Sequence, residues 1–337
     1  MNIKNIITIV LIAILVATPL IAIVHAQPQA EITRRQIPNT NIYYTQIKFD
    51  LGGATNWVKI PDNWDHKNLV ILCRGYMHEL DSSIPFDPQS IAFISMGAAT
   101  AASNYGEGGY CVKDAVIRTH QLTEYVVENY GVDGYIYLFG ASMGGNIALQ
   151  LGAKYPDLYD GVFDLFGSKN LKPQYTDKMS YIEMNDADLI AALTSVGSAI
   201  PPFPFTLYPT PLSTLSEHLD AYQSFSYDSG TDIWLACGSN TPEQKPQAYE
   251  KISPTFSATN IAIPTITVHG TADGLVPYSQ SIEFNNAVIE AGHGDFYRLY
   301  KVDGKGHGDI SNSIISLRFG QLVAWVEGNV PAPASIT

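Results

Sequence analysis

One serine stands among small residues where a strand pattern changes into a helix pattern. The segment GASMG (residues 140–144) follows the apolar run YIYLF and precedes a run with helical spacing. A nucleophilic serine on such a sharp turn needs neighbours without bulk, and the amides of the next helix then point towards its hydroxyl. This pattern occurs once in the chain. We therefore interpret Ser142 as a nucleophile rather than as part of a plain glycine-rich turn.

A serine nucleophile needs a base, and the base needs a carboxylate that orients it. Asp273 and His307 follow Ser142 in that order, each just after an apolar, strand-like run. Because open parallel sheets place their sites at the carboxyl ends of the strands, we expect the three side chains to meet there. Asp303 and Asp309 lie nearer to His307 in the sequence and are the alternative carboxylates.

Two backbone amides are candidates for an oxyanion hole. The Met143 amide directly follows the serine, and the Tyr76 amide comes just after the apolar run NLVILCRG. The alternative second donor is Met77, with Tyr76 as a packing residue. His78 and Glu79 follow on the same loop, where they either line the pocket or face solvent.

Strand-like and helix-like segments alternate through most of the chain. Strands are predicted at residues 43–60 (two, joined at 52–53), 68–76, 98–103, 135–139, 161–167, 263–270 and 296–302; helices are predicted at 89–95, 112–130, 144–154, 279–291 and 310–326. This order predicts an α/β fold with a mostly parallel sheet and helices on both faces. His269, at the end of one predicted strand, is interpreted as structural or as a support for the site.

Residues 168–260 interrupt the alternation. They contain helix-like pieces at 186–196 and 215–225 and a proline-rich run with Phe203, Phe205 and Tyr208. A segment of this length is more typical of an inserted cap than of a loop. We predict an α/β core at 27–167 and 261–337, with a cap at 168–260 above or beside Ser142. The three aromatic residues are expected to pack on the core or to line an acyl-binding wall.

Four segments resemble the α/β-hydrolases. These are RGY (74–76), GASMGG (140–145), HGTADGLVP (269–277) and GHG (306–308). The resemblance covers about residues 43–326 apart from the predicted cap, and it implies an α/β-hydrolase fold with Ser142, His307 and Asp273 as a triad. It also implies a serine hydrolase acting on a small-molecule or polymeric carboxylic ester, without a metal or an organic cofactor.

Other functions remain open. The pieces GY and SMGG also resemble cutinase-like polyester hydrolases, which lack a large insertion after the serine. Peptidases of the prolyl-oligopeptidase group share the core, but a peptidase that binds a substrate amine would need acidic side chains at the mouth, for which Glu79, Asp81 and Glu107 are candidates. A third reading is a binding protein that has kept the fold without catalysis.

The amino terminus and the charge indicate where the protein acts. An apolar run at residues 6–24 follows Lys4 and precedes the short stretch VHA. This pattern predicts a secretory signal peptide at residues 1–26, with an uncleaved anchor facing outside as the alternative. The net charge of −13 argues against nucleic acid as a partner, and it argues against binding to an anionic membrane surface.

Three cysteines are present at positions 73, 111 and 237. In an oxidising compartment one disulfide is possible, with all three pairings open and one thiol left over. No two of them have the spacing of metal ligands, so the sequence gives no support for a structural zinc site.

Overall fold

A computed structural model describes residues 28–80, 87–198, 214–328 and 330–335. Its strands are β1 (Ala30–Gln36), β2 (Tyr43–Leu51), β3 (Ala54–Pro61), β4 (Asn68–Cys73), β5 (Ala99–Ser103), β6 (Tyr135–Ala141), β7 (Gly161–Leu165), β8 (Thr265–Gly270) and β9 (Tyr297–Val302). They form one sheet in the order β1-β2-β3-β5-β4-β6-β7-β8-β9. The pairs from β1 to β5 along this order are antiparallel, and those from β5 to β9 are parallel. The predicted mostly parallel sheet is confirmed.

The helices of the described residues also follow the predicted order. They are α1 (Asp87–Ser95), α2 (Val112–Tyr130), α3 (Met143–Lys154), α4 (Leu171–Tyr181), α5 (Asp186–Ser195), α6 (Leu215–Ala236), α7 (Pro246–Glu250), α8 (Ser279–Glu290) and α9 (Asn312–Gly328), with 3-10 turns at Pro254–Asn260 and Gly294–Phe296. The five helices predicted outside the insertion begin and end within two residues of the observed bounds. In the part of the chain that the structure describes, none of the helices has the length and apolar character of a membrane span.

The sheet is covered on both faces. In β4, Leu69 and Ile71 belong to the buried cluster that also contains side chains of α2, α3 and α8, whereas Val70 and Leu72 belong to the cluster on the other face, which contains side chains of α1 and α9. Side chains of a strand point alternately to the two faces, so a strand buried on both sides is apolar throughout. This packing explains the continuous apolar runs of the sequence. It also fixes the carboxyl ends of β4, β6, β7, β8 and β9 along one edge.

The described part of the insertion is helical. The predicted helix at 186–196 is α5, and the one at 215–225 is the first half of α6, while α4 was not predicted. Tyr181, Leu189 and Leu219 of these helices form a buried cluster with Leu275, which belongs to the loop after β8. The insertion therefore packs against the loop that carries Asp273. The proline-rich run with its three aromatic residues lies outside the described residues, as does the predicted signal peptide.

The cysteines and the first strand differ from what the sequence predicted. Cys73, Cys111 and Cys237 are buried free thiols, so the disulfide that the sequence allowed is not formed. Strand β1 was not predicted, because six of its seven residues are exposed and it shows no alternation of buried and exposed positions. It pairs with β2 only at the edge of the sheet, where its two arginines discourage pairing with another chain.

Candidate active site

Ser142 occupies the sharp turn between β6 and α3. Its backbone has φ +57° and ψ −127°, a conformation that non-glycine residues adopt only under strain. The Ser142 amide donates to the Leu165 carbonyl (3.0 Å), and its own carbonyl accepts from the Gly145 amide (2.9 Å). The turn therefore holds a half-buried serine at the carboxyl edge of the sheet.

The glycines around Ser142 are required by close backbone contacts. A Cβ atom on Gly144 would lie 1.9 Å from the Cys73 carbonyl oxygen, and one on Gly140 would lie 2.1 Å from the Gly144 carbonyl oxygen. A side chain at either position would push α3 away from β4 and β6. The small residues of the segment GASMG thus allow the first turn of α3 to pass directly over the ends of these strands.

Asp273 and His307 are in direct contact. The Nδ1 atom of His307 lies 2.8 Å from Asp273 Oδ2, and both side chains are buried. The contact leaves Nε2 as the ring nitrogen that can exchange a proton with a substrate or a nucleophile. Among the described residues, neither Asp303 nor Asp309 hydrogen-bonds His307, and Asp303 lies 3.8 Å from the Lys301 ammonium instead.

Four hydrogen-bond donors surround the Asp273 carboxylate. Its Oδ1 atom accepts from the Leu275 and Val276 amides, each at 2.9 Å. Its Oδ2 atom contacts His307 and, at 3.1 Å, His269 Nε2. Burial by itself would raise the pKa of Asp273, but the charge of His307 and the hydrogen bonds from both histidines hold this pKa below its usual value. The carboxylate therefore stays ionised at neutral pH.

His269 supports Asp273 from the protein interior. Its Nε2 atom also lies 2.9 Å from the Val276 carbonyl, and its Nδ1 atom lies 2.6 Å from Ser281 Oγ at the start of α8. Because Nε2 faces two acceptors, we assign the hydrogen to Nε2, and Nδ1 then accepts from the Ser281 hydroxyl. These contacts agree with the interpretation of His269 as a structural or supporting residue.

The end of β7 connects Ser142 with His307. Leu165 bonds the Ser142 amide, and the ring of the next residue, Phe166, lies 4.5 Å from the His307 ring between centroids. No hydrogen bond joins the Ser142 hydroxyl to His307 among the described residues. Such bonds are often long before a substrate is bound, so the missing hydrogen bond does not count against His307 as the base. Sequence reasoning missed Phe166, since an apolar residue after a strand carries no distinctive signal.

The candidate oxyanion donors lie on either side of the serine. The Met143 amide begins α3. On the other side, a Cβ atom on Gly75 would be 3.6 Å from Ser142 Cβ, so the loop that carries Tyr76 passes directly beside the serine. Neither the Met143 nor the Tyr76 amide hydrogen-bonds another described residue. Both are thus available to an oxygen atom of a ligand, and so is the amide of Met77, the alternative second donor.

A buried ion pair lies beneath the serine turn. Lys169 Nζ is 2.7 Å from Asp164 Oδ2, and both side chains are fully buried. Thr267 Oγ1 donates to the same oxygen (2.7 Å), and the Gly167 amide donates to Oδ1 (2.9 Å). Burial lowers the pKa of Lys169, and Asp164 opposes that shift. This pair, which the sequence did not reveal, fixes the loop after β7.

No candidate metal site is found among the described residues. They contain no group of three or more His, Cys, Asp or Glu side chains arranged to hold a metal ion.

Two sequence families match parts of the chain. The profile of the prolyl oligopeptidase family matches residues 221–331, a range that contains Asp273 and His307. The profile of the esterase family matches residues 96–187, which contain Ser142. No curated protein sequence matches the chain significantly.

Solved structures match over nearly the whole chain. Feruloyl esterase B from Aspergillus oryzae matches with a TM-score of 0.56 and 13% identity, over 90% of this chain and 88% of that one. Acylaminoacyl peptidase from Pyrococcus horikoshii matches with a TM-score of 0.53 and 14% identity, over 93% of this chain and 43% of that one. Puromycin hydrolase matches with a TM-score of 0.54 and 16% identity, over 91% of this chain and 41% of that one. The chain thus spans about two fifths of the length of the latter two proteins. At these identities the similarity concerns the fold.

Proposed function

We propose that this chain, an α/β-hydrolase of the esterase and peptidase type, cleaves carboxylic esters through an acyl-enzyme on Ser142. The observation that carries the proposal is the 2.8 Å contact between Asp273 and His307, at the same edge of the sheet as the strained Ser142 turn. A nucleophile, a base and an orienting carboxylate suffice for acyl transfer. The proposed reaction uses no metal ion and no organic cofactor.

The proposed reaction has two steps. Ser142 Oγ attacks the acyl carbon while His307 Nε2 takes its proton, and Asp273 keeps the hydrogen of the neutral imidazole on Nδ1 and stabilises the imidazolium. The Met143 and Tyr76 amides donate hydrogen bonds to the oxyanion of the tetrahedral intermediate. The alcohol leaves with the proton from His307. Water, deprotonated by His307, then attacks the acyl carbon, the bond from this carbon to Ser142 Oγ breaks, and Oγ takes the proton back from His307 as the acid is released.

A peptidase is the second candidate, because the prolyl oligopeptidase profile matches residues 221–331. An aminopeptidase or dipeptidyl peptidase would need a carboxylate near Ser142 to bind the substrate amine. Glu79 and Glu107 are exposed and hydrogen-bond neither Ser142 nor His307 among the described residues, and Asp81 lies outside them. Asp232 has its carboxylate against the loop beside Ser142, but this carboxylate already accepts from the Tyr76 hydroxyl and contacts His78. We therefore rank the ester as the substrate class above the peptide, with a polyester as a special case of it.

A fluorophosphonate probe tests the proposed nucleophile, because it reacts with an activated serine and ignores a binding protein. We expect labelling of the wild type, none of Ser142→Ala, and no ester hydrolysis by this variant despite native circular dichroism. Wild-type turnover in Ser142→Ala would remove Ser142 from the mechanism. Short-chain nitrophenyl esters compared with aminoacyl-nitroanilides then distinguish an esterase from a peptidase.

We also propose that residues 168–260 form a cap. The support comes from helix α6, in which the Tyr222 hydroxyl donates to the Gly274 carbonyl (2.7 Å) beside Asp273. If Phe203, Phe205 and Tyr208 line an acyl-binding wall, replacing all three with serine raises KM for longer acyl esters more than for acetate esters. If activity falls equally on every ester and in proportion to a fall in Tm, the three aromatic residues have a structural role alone.

Secretion is proposed from the amino-terminal sequence. Protein recovered from the culture medium should begin at Gln27, as determined by amino-terminal sequencing. A membrane-bound protein with an intact first residue would favour the uncleaved anchor.

A further inference from the structure

One carboxylate of the insertion joins two side chains of the loop beside Ser142. The Tyr76 hydroxyl donates to Asp232 Oδ2 at 2.6 Å, and His78 Nδ1 lies 2.8 Å from the same oxygen. Tyr76 and His78 belong to the loop after β4, whereas Asp232 lies on α6, more than 150 residues further along the chain. The contact therefore links the candidate oxyanion loop to the insertion.

The same face of α6 holds the Tyr76 ring. Phe225, two helical turns before Asp232, meets this ring edge-on, with 5.6 Å between centroids and an interplanar angle of 83°. Asp232 itself is nearly buried, and a Cβ atom on Gly109 would lie only 3.4–3.6 Å from its carboxylate atoms. Tyr76 is thus held at its ring and at its hydroxyl by two side chains of one helix.

The backbone of the loop is fixed on both sides of Tyr76. The Gly109 amide donates to the carbonyls of Met77 (2.7 Å) and His78 (3.0 Å). Before Tyr76, the Gly75 carbonyl accepts from the Arg74 guanidinium (3.2 Å), and a Cβ atom on Gly75 would be in ordinary contact with Ser142 Cβ (3.6 Å). The remaining freedom is a rotation of the Tyr76 peptide, and a rotation of that kind would swing the tyrosine ring away from Phe225 and Asp232.

We propose that Asp232 is a positioning residue, which holds Tyr76 so that its backbone amide points at the oxyanion formed on Ser142. This inference rests on the proposed function. A donor to an oxyanion must lie within about 2.7–3.1 Å of it, and losing one donor lowers kcat by about 10²–10³-fold. Releasing Tyr76 misdirects its amide without removing it, so Asp232→Ala should lower kcat by about 10- to 100-fold. KM should change much less, because the amide acts on charge that develops in the transition state.

Two comparisons separate positioning from a general structural effect. Asp232→Asn keeps an oxygen that can accept from the Tyr76 hydroxyl, so it should retain most of the kcat that Asp232→Ala loses. Asp228→Ala is the matched control. It also removes one negative charge from α6, one turn earlier, but the Asp228 side chain makes no hydrogen bond with any described residue. This variant should leave kcat near the wild-type value. Tyr76→Phe combined with Asp232→Ala should lose no more than Asp232→Ala alone.

Amide hydrogen exchange of the peptide at residues 74–80 gives a readout that does not depend on turnover. Exchange should accelerate in Asp232→Ala and stay unchanged in Asp228→Ala. Unchanged exchange in Asp232→Ala overturns the proposal whether or not the protein hydrolyses esters. If Asp232→Ala exchanges faster but keeps the wild-type kcat, the positioning role is overturned. If Asp228→Ala loses as much kcat as Asp232→Ala, the effect is one of charge alone, which also overturns the proposal. A wild type without turnover or probe labelling would instead refute the proposed function, while exchange still decides whether Asp232 holds the loop.

Discussion

At the scale of single residues, the strained backbone that positions the Ser142 hydroxyl lowers the stability of the fold. The Ser142 backbone conformation costs on the order of 1–3 kcal/mol in a non-glycine residue, and glycine adopts it with little strain. We expect Ser142→Gly to have a higher Tm than Ser142→Ala, because both lack the hydroxyl but only alanine keeps the strained Cβ. Thermal unfolding of the two variants makes the comparison. A lower Tm for Ser142→Gly would mean that the turn is not strained.

Asp273 is expected to control the tautomer of His307. With an amide in place of the carboxylate, the imidazole loses the acceptor that holds its hydrogen on Nδ1, so Asp273→Asn should lower kcat by about 10⁴-fold. Steady-state kinetics on a nitrophenyl ester measures the effect. Asp303→Asn and Asp309→Asn are the controls, since neither aspartate hydrogen-bonds His307 among the described residues. Our assignment fails if either control is the more damaging change.

At the scale of elements, the Asp164–Lys169 pair connects β7 with the loop that leads into the insertion. Lys169→Met leaves the Asp164 charge buried without its counter-ion, and we expect it to lower the free energy of unfolding by about 3–5 kcal/mol. Lys172→Met is the matched control, because it breaks a partly exposed pair with Glu250 and should cost about 0–1 kcal/mol. Urea denaturation measures both. Equal losses would mean that burial of the first pair is unimportant.

The contact between the candidate oxyanion loop and α6 should depend on pH. The hydrogen bond from His78 to Asp232 raises the pKa of His78, burial opposes the shift, and Asp232, Asp228 and Glu79 add to it through their charges. A raised folded-state pKa means that the pair contributes fully below the unfolded value of 6.5 and is lost as pH rises through the folded value. The Tm difference between wild type and His78→Gln should therefore be present below pH 6.5 and shrink at higher pH. The effect should be small, because His78 is half exposed, and a difference that grows with pH would contradict it.

At the scale of the whole molecule, stability should not depend on a disulfide. Burial raises the pKa of the Cys111 thiol to about 11 and that of Cys237 to about 12, and it raises the pKa of Cys73 as well. Such thiols are protonated and react slowly. We expect reducing agents to leave Tm unchanged. A thiol reagent should react with three thiols, and only after the protein is denatured. One reactive thiol in the denatured, unreduced protein would show that a disulfide is present.

The sequence by itself determined the elements of the core and the order of the candidate site residues. Local periodicity predicted α2 closely, because this helix buries one face and ends at a recognisable stop at Gly131. Helix α3 is buried almost all round, and its position after the turn at Ser142 predicted it. The predicted α/β-hydrolase fold is confirmed. The segment around Ser142 predicted the turn for a physical reason, since only glycine fits where Gly144 passes the Cys73 carbonyl.

Only the tertiary structure decided which side chains meet. Asp273, Asp303 and Asp309 were all available to His307 in the sequence, and the folded loop after β8 brings Asp273 to it. Contacts such as Tyr76 with Asp232 join residues 156 positions apart, and no local pattern encodes them. The same holds for the Asp164–Lys169 pair, because burial of opposite charges depends on how β7 and β8 pack. Periodicity reports which face of an element is buried, whereas partners across a fold are set by the packing of elements that are distant in the chain.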